Sequence, residues 1–242
     1  MISVVTPTIR PDSLLMNKKC LDRQTYKDFE WLIVSPFKID FGTWIKEPEE
    51  RKGDFYNLNK AWNGAFKQAG GELVVSIVDL MWFPPDTLEK LWLFYQENPM
   101  QCVGGIGHQY DQIVNDKPEH LVWRDPREQF HSTFNQIPPI DYELCLASLP
   151  LKGIKEVGGV DEKFDKYAAL SEKEMCIRMA NIGYKFFLDQ TIEYRAYKHP
   201  RINEEWDKKY QEGMSYFNKC VEEIAKGTRK KLDYLNDSNI IG

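Results

Sequence analysis

"LNKAWNGAFKQAGGELVVSIVD", residues 58–79, decides the fold class. Leu58, Ala61, Trp62, Ala65, Phe66 and Ala69 recur at helical spacing, Asp54 just upstream suits the N-cap, and Gly70-Gly71 closes the helix. "ELVVSIV" then runs almost without a polar residue, as a strand does when both faces of its sheet are covered. That strand ends on a single acid, Asp79, followed by Met81, Trp82, Phe83 and the pair Pro84-Pro85. Upstream, "ISVV" is a short apolar run stopped at Pro7. Pro11-Asp12 opens a helix to about Gln24, and "FEWLIVS" (29–35) is a second buried strand. Downstream, Leu88, Leu91, Trp92 and Tyr95 mark a helix behind the prolines, and "CVGGIG" (102–107) fits a fourth strand. Strand and helix in this alternation predict an α/β domain with a mainly parallel sheet. Ligands of such sheets bind beyond the carboxyl ends of the strands. "TPTIR" (6–10), "SPFKID" (35–40) and "VDLMW" (78–82) are therefore expected along one edge.

The chain has 242 residues, 42% hydrophobic and 29% charged, enough for one large domain or one domain with an appendage. A net charge of -5 gives a nucleic-acid partner no electrostatic help. No apolar run approaches the roughly 18 residues of a bilayer span, and "MISVVTPTIR" lacks the features of a signal peptide. Cys20, Cys102, Cys145, Cys176 and Cys220 are scattered and form no CxxC pair. That spacing predicts reduced thiols in a cytoplasmic setting, without a zinc site or disulfide framework.

From about Gly107 to Ile140 the periodicity dissolves into polar, aromatic and proline-containing sequence. A long binding loop is expected there. Trp123, Arg124 and Asp125 are binding candidates there, an indole face with polar neighbours; Asp141 and Glu143 flank the next strand. Regularity returns with "YELCLASLPL", "SEKEMCIRMANIGY", "KFFLDQ" and "IEYRAY". Ser171 and Glu174 have capping-box spacing, Arg178 sits one turn past Glu174, and Met175, Met179 and Ile182 form the inward stripe. Trp206, Tyr210, Met214, Phe217, Val221 and Ile224 predict a C-terminal helical extension (201–242) packing on a domain of residues 1–200. Membrane-surface association is the alternative for that stripe, and "KGTRKK" (226–231) reads most simply as a solvated charge run.

Four segments, in order, resemble the GT-A glycosyltransferases of the family-2 type: "ISVVTPTIR", "LNKAWNGAFKQAGGELVVSIVD", "VGGVDEKFDKYAALSEKEMCIRMANIGYKFF" and "YKHP". The likeness covers roughly residues 2 to 200. It implies a GT-A fold and inverting transfer from a nucleotide-diphospho-sugar, such as a uridine one, to a hydroxyl of a glycan, lipid-linked or other acceptor. It implies donor contacts from Thr6, Pro7, Thr8, Arg10, Ser35, Lys52, Asn63 and Asp79, with Lys60 a looser candidate. Asp79 and His199 would hold Mn2+ or Mg2+, which tempers the charge on a leaving diphosphate. Glu172 stands at the base position, with Glu174 the fallback. The chain departs from the family's pattern at Asp79-Leu80-Met81, where Asp-x-Asp is usual, and at Ser35, where an acid often reads the base. A degenerate, non-catalytic nucleotide- or glycan-binding module is the competing reading. A sugar nucleotidyltransferase is disfavoured because "TPTIRPDS" lacks a glycine-rich loop, and a dehydrogenase because G-x-G-x-x-G is absent.

Overall fold

The computed structural model describes residues 1–50, 52–129, 132–198 and 205–236. It contains β1 (Ile2–Pro7), α1 (Leu14–Asp22), β2 (Phe29–Ser35), β3 (Thr43–Lys46), α2 (Leu58–Gln68), β4 (Leu73–Ile77), β5 (Met81–Trp82) and α3 (Thr87–Glu97). There follow β6 (Gln101–Val114), β7 (Lys117–Trp123), β8 (Phe134–Ile137), β9 (Leu146–Pro150), α4 (Leu151–Val157), α5 (Ser171–Asn181), β10 (Lys185–Tyr197) and α6 (Trp206–Ala225). The sheet order is β3-β2-β1-β4-β9-β6-β10-β5, with β7 joined to β6 and β8 to β10. The four strands β3-β2-β1-β4 are parallel, as are β6 and β10, and β9 lies antiparallel between β4 and β6.

The period-two alternation of strand side chains supplies both faces of the core. Ile2, Val4, Leu73, Val75 and Ile77 pack on one face with Leu14 of α1 and Leu88 and Leu91 of α3. Val5 and Val74 pack on the other with Trp62 and Phe66 of α2, Ile154 of α4 and Met175 and Met179 of α5. Helices on both faces of a largely parallel sheet are the architecture the alternation of strand and helix predicts.

Several local expectations are corrected. Residues 107–140 are not one irregular loop, because β6 continues to Val114 and returns as β7. The turn residues Asn115 and Asp116 both have positive φ (51° and 62°), the conformation of a two-residue hairpin turn. "KFFLDQ" and "IEYRAY" form one strand, β10, with an irregularity between Asp189 and Glu193. Asp54 does not cap α2; it pairs with the buried Lys60 at 2.9 Å. The α2 N-terminus is served instead by Asp165, whose carboxylate accepts the N–H groups of Asn59 (2.9 Å) and Lys60 (3.3 Å). Lys60 and Asn63 thus lie on a covered face of α2, not a solvated one. The capping box at Ser171 does not form, since Leu170 occupies the N-cap and Glu174 is buried elsewhere. Ile182 lies outside the inward stripe and is exposed.

The α6 stripe packs on the domain: Phe217 and Cys220 meet Phe164 and Leu170, with Tyr210, Met214 and Val221 around them. "KGTRKK" is not wholly solvated. Its Arg229 is largely buried and pairs with Glu174 (2.7 Å) and Asp161 (2.5 Å), because those two carboxylates are enclosed and need a counter-charge. Among the described residues no helix is long and apolar enough to cross a membrane.

Candidate active site

β1, β2 and β4 end on the same edge of the sheet, and their following residues converge there. Asp79 is nearly enclosed, and both its oxygens are engaged. The Thr8 hydroxyl donates to Oδ2 at 2.7 Å, Arg10 Nε to Oδ2 at 3.0 Å, and Arg10 Nη2 to Oδ1 at 2.7 Å. Two parallel N–H bonds to one carboxylate fix guanidinium and carboxylate in a common plane. The loop that carries Arg10 is closed on itself: the Arg10 N–H donates to Thr8 Oγ1 (2.9 Å) and the Ser13 hydroxyl to the Arg10 carbonyl (2.5 Å).

The turn around Asp79 is held at each residue. Val78 N–H donates to the Cys145 carbonyl (3.1 Å), and Asn17 Nδ2 donates to the Val78 carbonyl (2.8 Å). Leu80 takes a left-handed φ of 57°, which costs a side-chain-bearing residue about 1–2 kcal/mol, and its carbonyl accepts the N–H of Tyr197. Met81 therefore enters β5 with its side chain in the core, fully buried. Trp82 is half-buried, with the Lys117 ammonium 4.7 Å above its ring. The Pro84 and Pro85 carbonyls accept from Gln24 and Thr25. An open depression of about 490 Å³ is lined by Ile9, Arg10, Asp12, Ser13 and Leu80.

Of the donor residues expected from sequence, the structure brings Thr8, Arg10 and Asp79 into direct contact. Thr6, Pro7 and Ser35 lie along the same edge: Thr6 Oγ1 accepts the Trp31 indole N–H (2.9 Å), and Ser35 Oγ accepts the Phe37 N–H (3.0 Å). Asn63 is not at this cluster. Its amide spans to Val160 and Glu162, fastening α2 to the loop before α5. Lys52 is exposed on the loop ahead of α2. Asp125 is buried against Arg127, and Trp123 is 43% exposed on β7. His199 lies outside the described residues; the chain leading to it is anchored at Tyr197, beside Leu80.

Glu172 is half-buried in the first turn of α5. Burial pushes its carboxyl above the ordinary glutamate range; Lys173 pulls it back and the Glu143 charge adds to the rise. Cys145 links this group to Asp79. Its carbonyl holds Val78, and its half-buried thiol is pushed up to about 12 by desolvation, then by Glu143 and Glu172. Ala169 and Leu170, just ahead of α5, both have positive φ (66° and 77°), and the Tyr56 hydroxyl accepts the Ala169 N–H at 2.8 Å. Strain of this kind persists where surrounding structure imposes it, and it clusters at functional sites. Glu174 is committed elsewhere: Arg178 grips it through Nε and Nη2, both at 2.8 Å, and Arg229 adds a third bond. Glu143, which the sequence places at a strand's edge, and Tyr56, which no spacing announces, join the surroundings of Glu172 from distant segments.

No protein-family model matches the chain, and no curated protein matches it. Solved structures do. S. aureus TarS 1-349 in complex with UDP aligns with a TM-score of 0.56 at 16% identity over 82% of this chain. GalNAc-T7 with UDP, GalNAc and Mn2+ aligns with a TM-score of 0.67 at 12% identity over 92% of this chain. The fold is GT-A. The mannosyltransferase PcManGT from Pyrobaculum calidifontis, in complex with GDP-Man and Mn2+, shares the GT-A arrangement with a TM-score of 0.56 at 15% identity over 80% of this chain. The chain spans 61%, 47% and 56% of these three structures in turn. The GT-A fold here consists of the mixed sheet with helices on both faces, extended by α6.

Proposed function

We propose that the chain is a glycosyltransferase that moves a sugar from a nucleotide-diphospho-sugar to a hydroxyl acceptor with inversion. The observation that carries this reading is the Thr8–Arg10–Asp79 cluster at the carboxyl edge of parallel strands, beside an open depression. Ligands of open α/β sheets bind at that edge. The GT-A neighbours TarS and GalNAc-T7 are described with UDP and PcManGT with GDP-Man, so uridine and guanosine donors are the first to test.

In the reaction the bond between the anomeric carbon and the diphosphate oxygen breaks, and its electron pair leaves on the diphosphate. The acceptor oxygen forms the new bond from the opposite face and gives its proton to Glu172. A carboxyl raised by burial is better suited to accept that proton than a solvated one. Pro7 and Thr8 would border the nucleotide, with the fully buried Thr6 and Ser35 supporting that edge from beneath. Glu174, held by two arginines, would keep the start of α5 in place instead of acting as base.

The resemblance brings manganese or magnesium to such a site, through Asp79 and His199. Among the described residues, no three His, Cys, Asp or Glu side chains gather to hold a metal ion. Asp79 is a single carboxylate with both oxygens already bonded, and Met81 lies in the core. Among the described residues this donor set does not fit a bound divalent cation, and no step is routed through one.

The test is product formation from UDP- and GDP-sugars with a panel of hydroxyl acceptors, followed by Glu172→Gln. Wild type is expected to consume one donor, and Glu172→Gln to lose about 10²–10⁴-fold in turnover while still binding the nucleotide. Nucleotide binding with no turnover under any condition would favour the non-catalytic module.

A further inference from the structure

The same cluster says which charge faces the leaving group. Resting on the transferase reading, we infer that the Arg10 guanidinium, aimed by Asp79, takes the place of a divalent cation as counter-charge to the donor's diphosphate. Two carboxylates around a divalent cation sum to zero charge, and so do one carboxylate and one guanidinium. Where a second acid would stand this chain has Met81, and Arg10 balances the single charge of Asp79. Met81 is fully buried, so its position offers no ligand to the edge where Asp79 stands.

The geometry leaves Arg10 able to do this. Asp79 takes Nε at 3.0 Å and one hydrogen of Nη2 at 2.7 Å. Among the described residues no bond uses Nη1, and the side chain keeps 30% of its surface exposed beside the depression. A guanidinium presents its remaining hydrogens as a planar fork that matches two phosphate oxygens. Thr8 and the closed loop fix the backbone on either side, so the fork is ordered before the nucleotide arrives. Asp12 at the rim is exposed, where water screens its charge. In the transfer step the electron pair leaving the anomeric carbon settles on the diphosphate oxygens beside this fork, and no metal is consumed or released.

The experiment is calorimetric binding of UDP and GDP to the full chain, in EDTA and in Mn2+. Wild type is expected to bind one of them with a Kd that agrees within about twofold between the two buffers; charge-assisted hydrogen bonds do not need the ion. Arg10→Gln in EDTA should weaken that Kd about tenfold or more, as the loss of charged bonds requires. Because Arg10→Gln strips Asp79 of its partner, Arg10→Lys is measured beside it; it keeps the charge, loses the fork, and should fall between the two. Binding that appears only with Mn2+ overturns the inference and leaves the transferase reading standing. An Arg10 variant that folds and binds as wild type in EDTA also overturns it. No binding in either buffer withdraws both.

Discussion

Gly158→Ala should detach the C-terminal strap from the domain. Gly158 ends α4 in the left-handed region (φ 78°), and a Cβ there would sit 1.6 Å from the Leu232 carbonyl oxygen. The obstacle is backbone, which has no rotamer by which to escape. The conformation itself costs alanine about 1–2 kcal/mol. When residues 229–234 lift, Arg229 leaves Glu174 and Asp161, Tyr234 leaves Asp161, and Leu232 N–H leaves Val157. Charged hydrogen bonds contribute about 1.5–3 kcal/mol each, and water replaces part of them on exposure, so a total near 3–5 kcal/mol is expected. For a chain of this size about 2–4 °C accompanies each kcal/mol, so the melting temperature should fall by roughly 6–20 °C. Gly227→Ala is the control. It is also left-handed (φ 71°), but its nearest neighbour would be the flexible end of Lys230 at 3.7 Å. It carries only the conformational cost of about 1–2 kcal/mol. Scanning fluorimetry reads both, and trypsin reports the strap through cleavage at Arg229, Lys230 and Lys231. Two variants melting within about 1 °C of each other, with equal trypsin lifetimes, would refute the placement of Leu232 across Gly158.

Three further outcomes are expected. Glu172 must be ionised to take a proton, and burial raises its pKa, so kcat/KM should climb with pH through a limb above 4.5; a limb at or below 4.5 would remove Glu172 as the base. Burial also pushes Asp165 from 3.8 up to about 7. Between those values the folded chain keeps a proton that the unfolded chain releases, so this group's contribution falls as pH rises through the window. Urea midpoints at pH 5 and pH 8 should show a smaller difference for Asp165→Asn than for wild type, and an equal difference would contradict the burial. Met81→Asp restores the missing acid in sequence only: an unpaired charge in the core should destabilise by about 3–5 kcal/mol without conferring manganese-dependent nucleotide binding. A stable Met81→Asp that gains such binding would place residue 81 at the sheet edge instead.

The elements legible in the chain were those whose signal is periodic and local. The α2 stripe, the unbroken β4 run and the α6 stripe each state how one face is covered, and the alternation of strand and helix states the architecture. The β6–β7 hairpin escaped because its turn is Asn115-Asp116 without a glycine and its outer strand is polar and half-solvated. At the site, "TPTIR" and "VDLMW" were placed on one edge from the order of strands alone.

The pairing of side chains was not local. Asp165 reaches α2 from 106 residues away, and Arg229 reaches Glu174 from 55. Asp165 replaces the cap that spacing had assigned to Asp54, and Arg229 pairs with the Glu174 that spacing had assigned to a capping box with Ser171. The chain by itself determined the sheet, its covered faces and the edge on which Asp79 emerges, because hydrophobic periodicity is written residue by residue. The i,i+4 pair of Glu174 and Arg178 was legible in the chain, but only the tertiary structure decided that Asp79 is bound to Arg10, that Met81 points inward, and that Arg229 joins Arg178 on Glu174. A buried charge takes whichever partner the fold brings within hydrogen-bond reach, and sequence distance does not enter that choice.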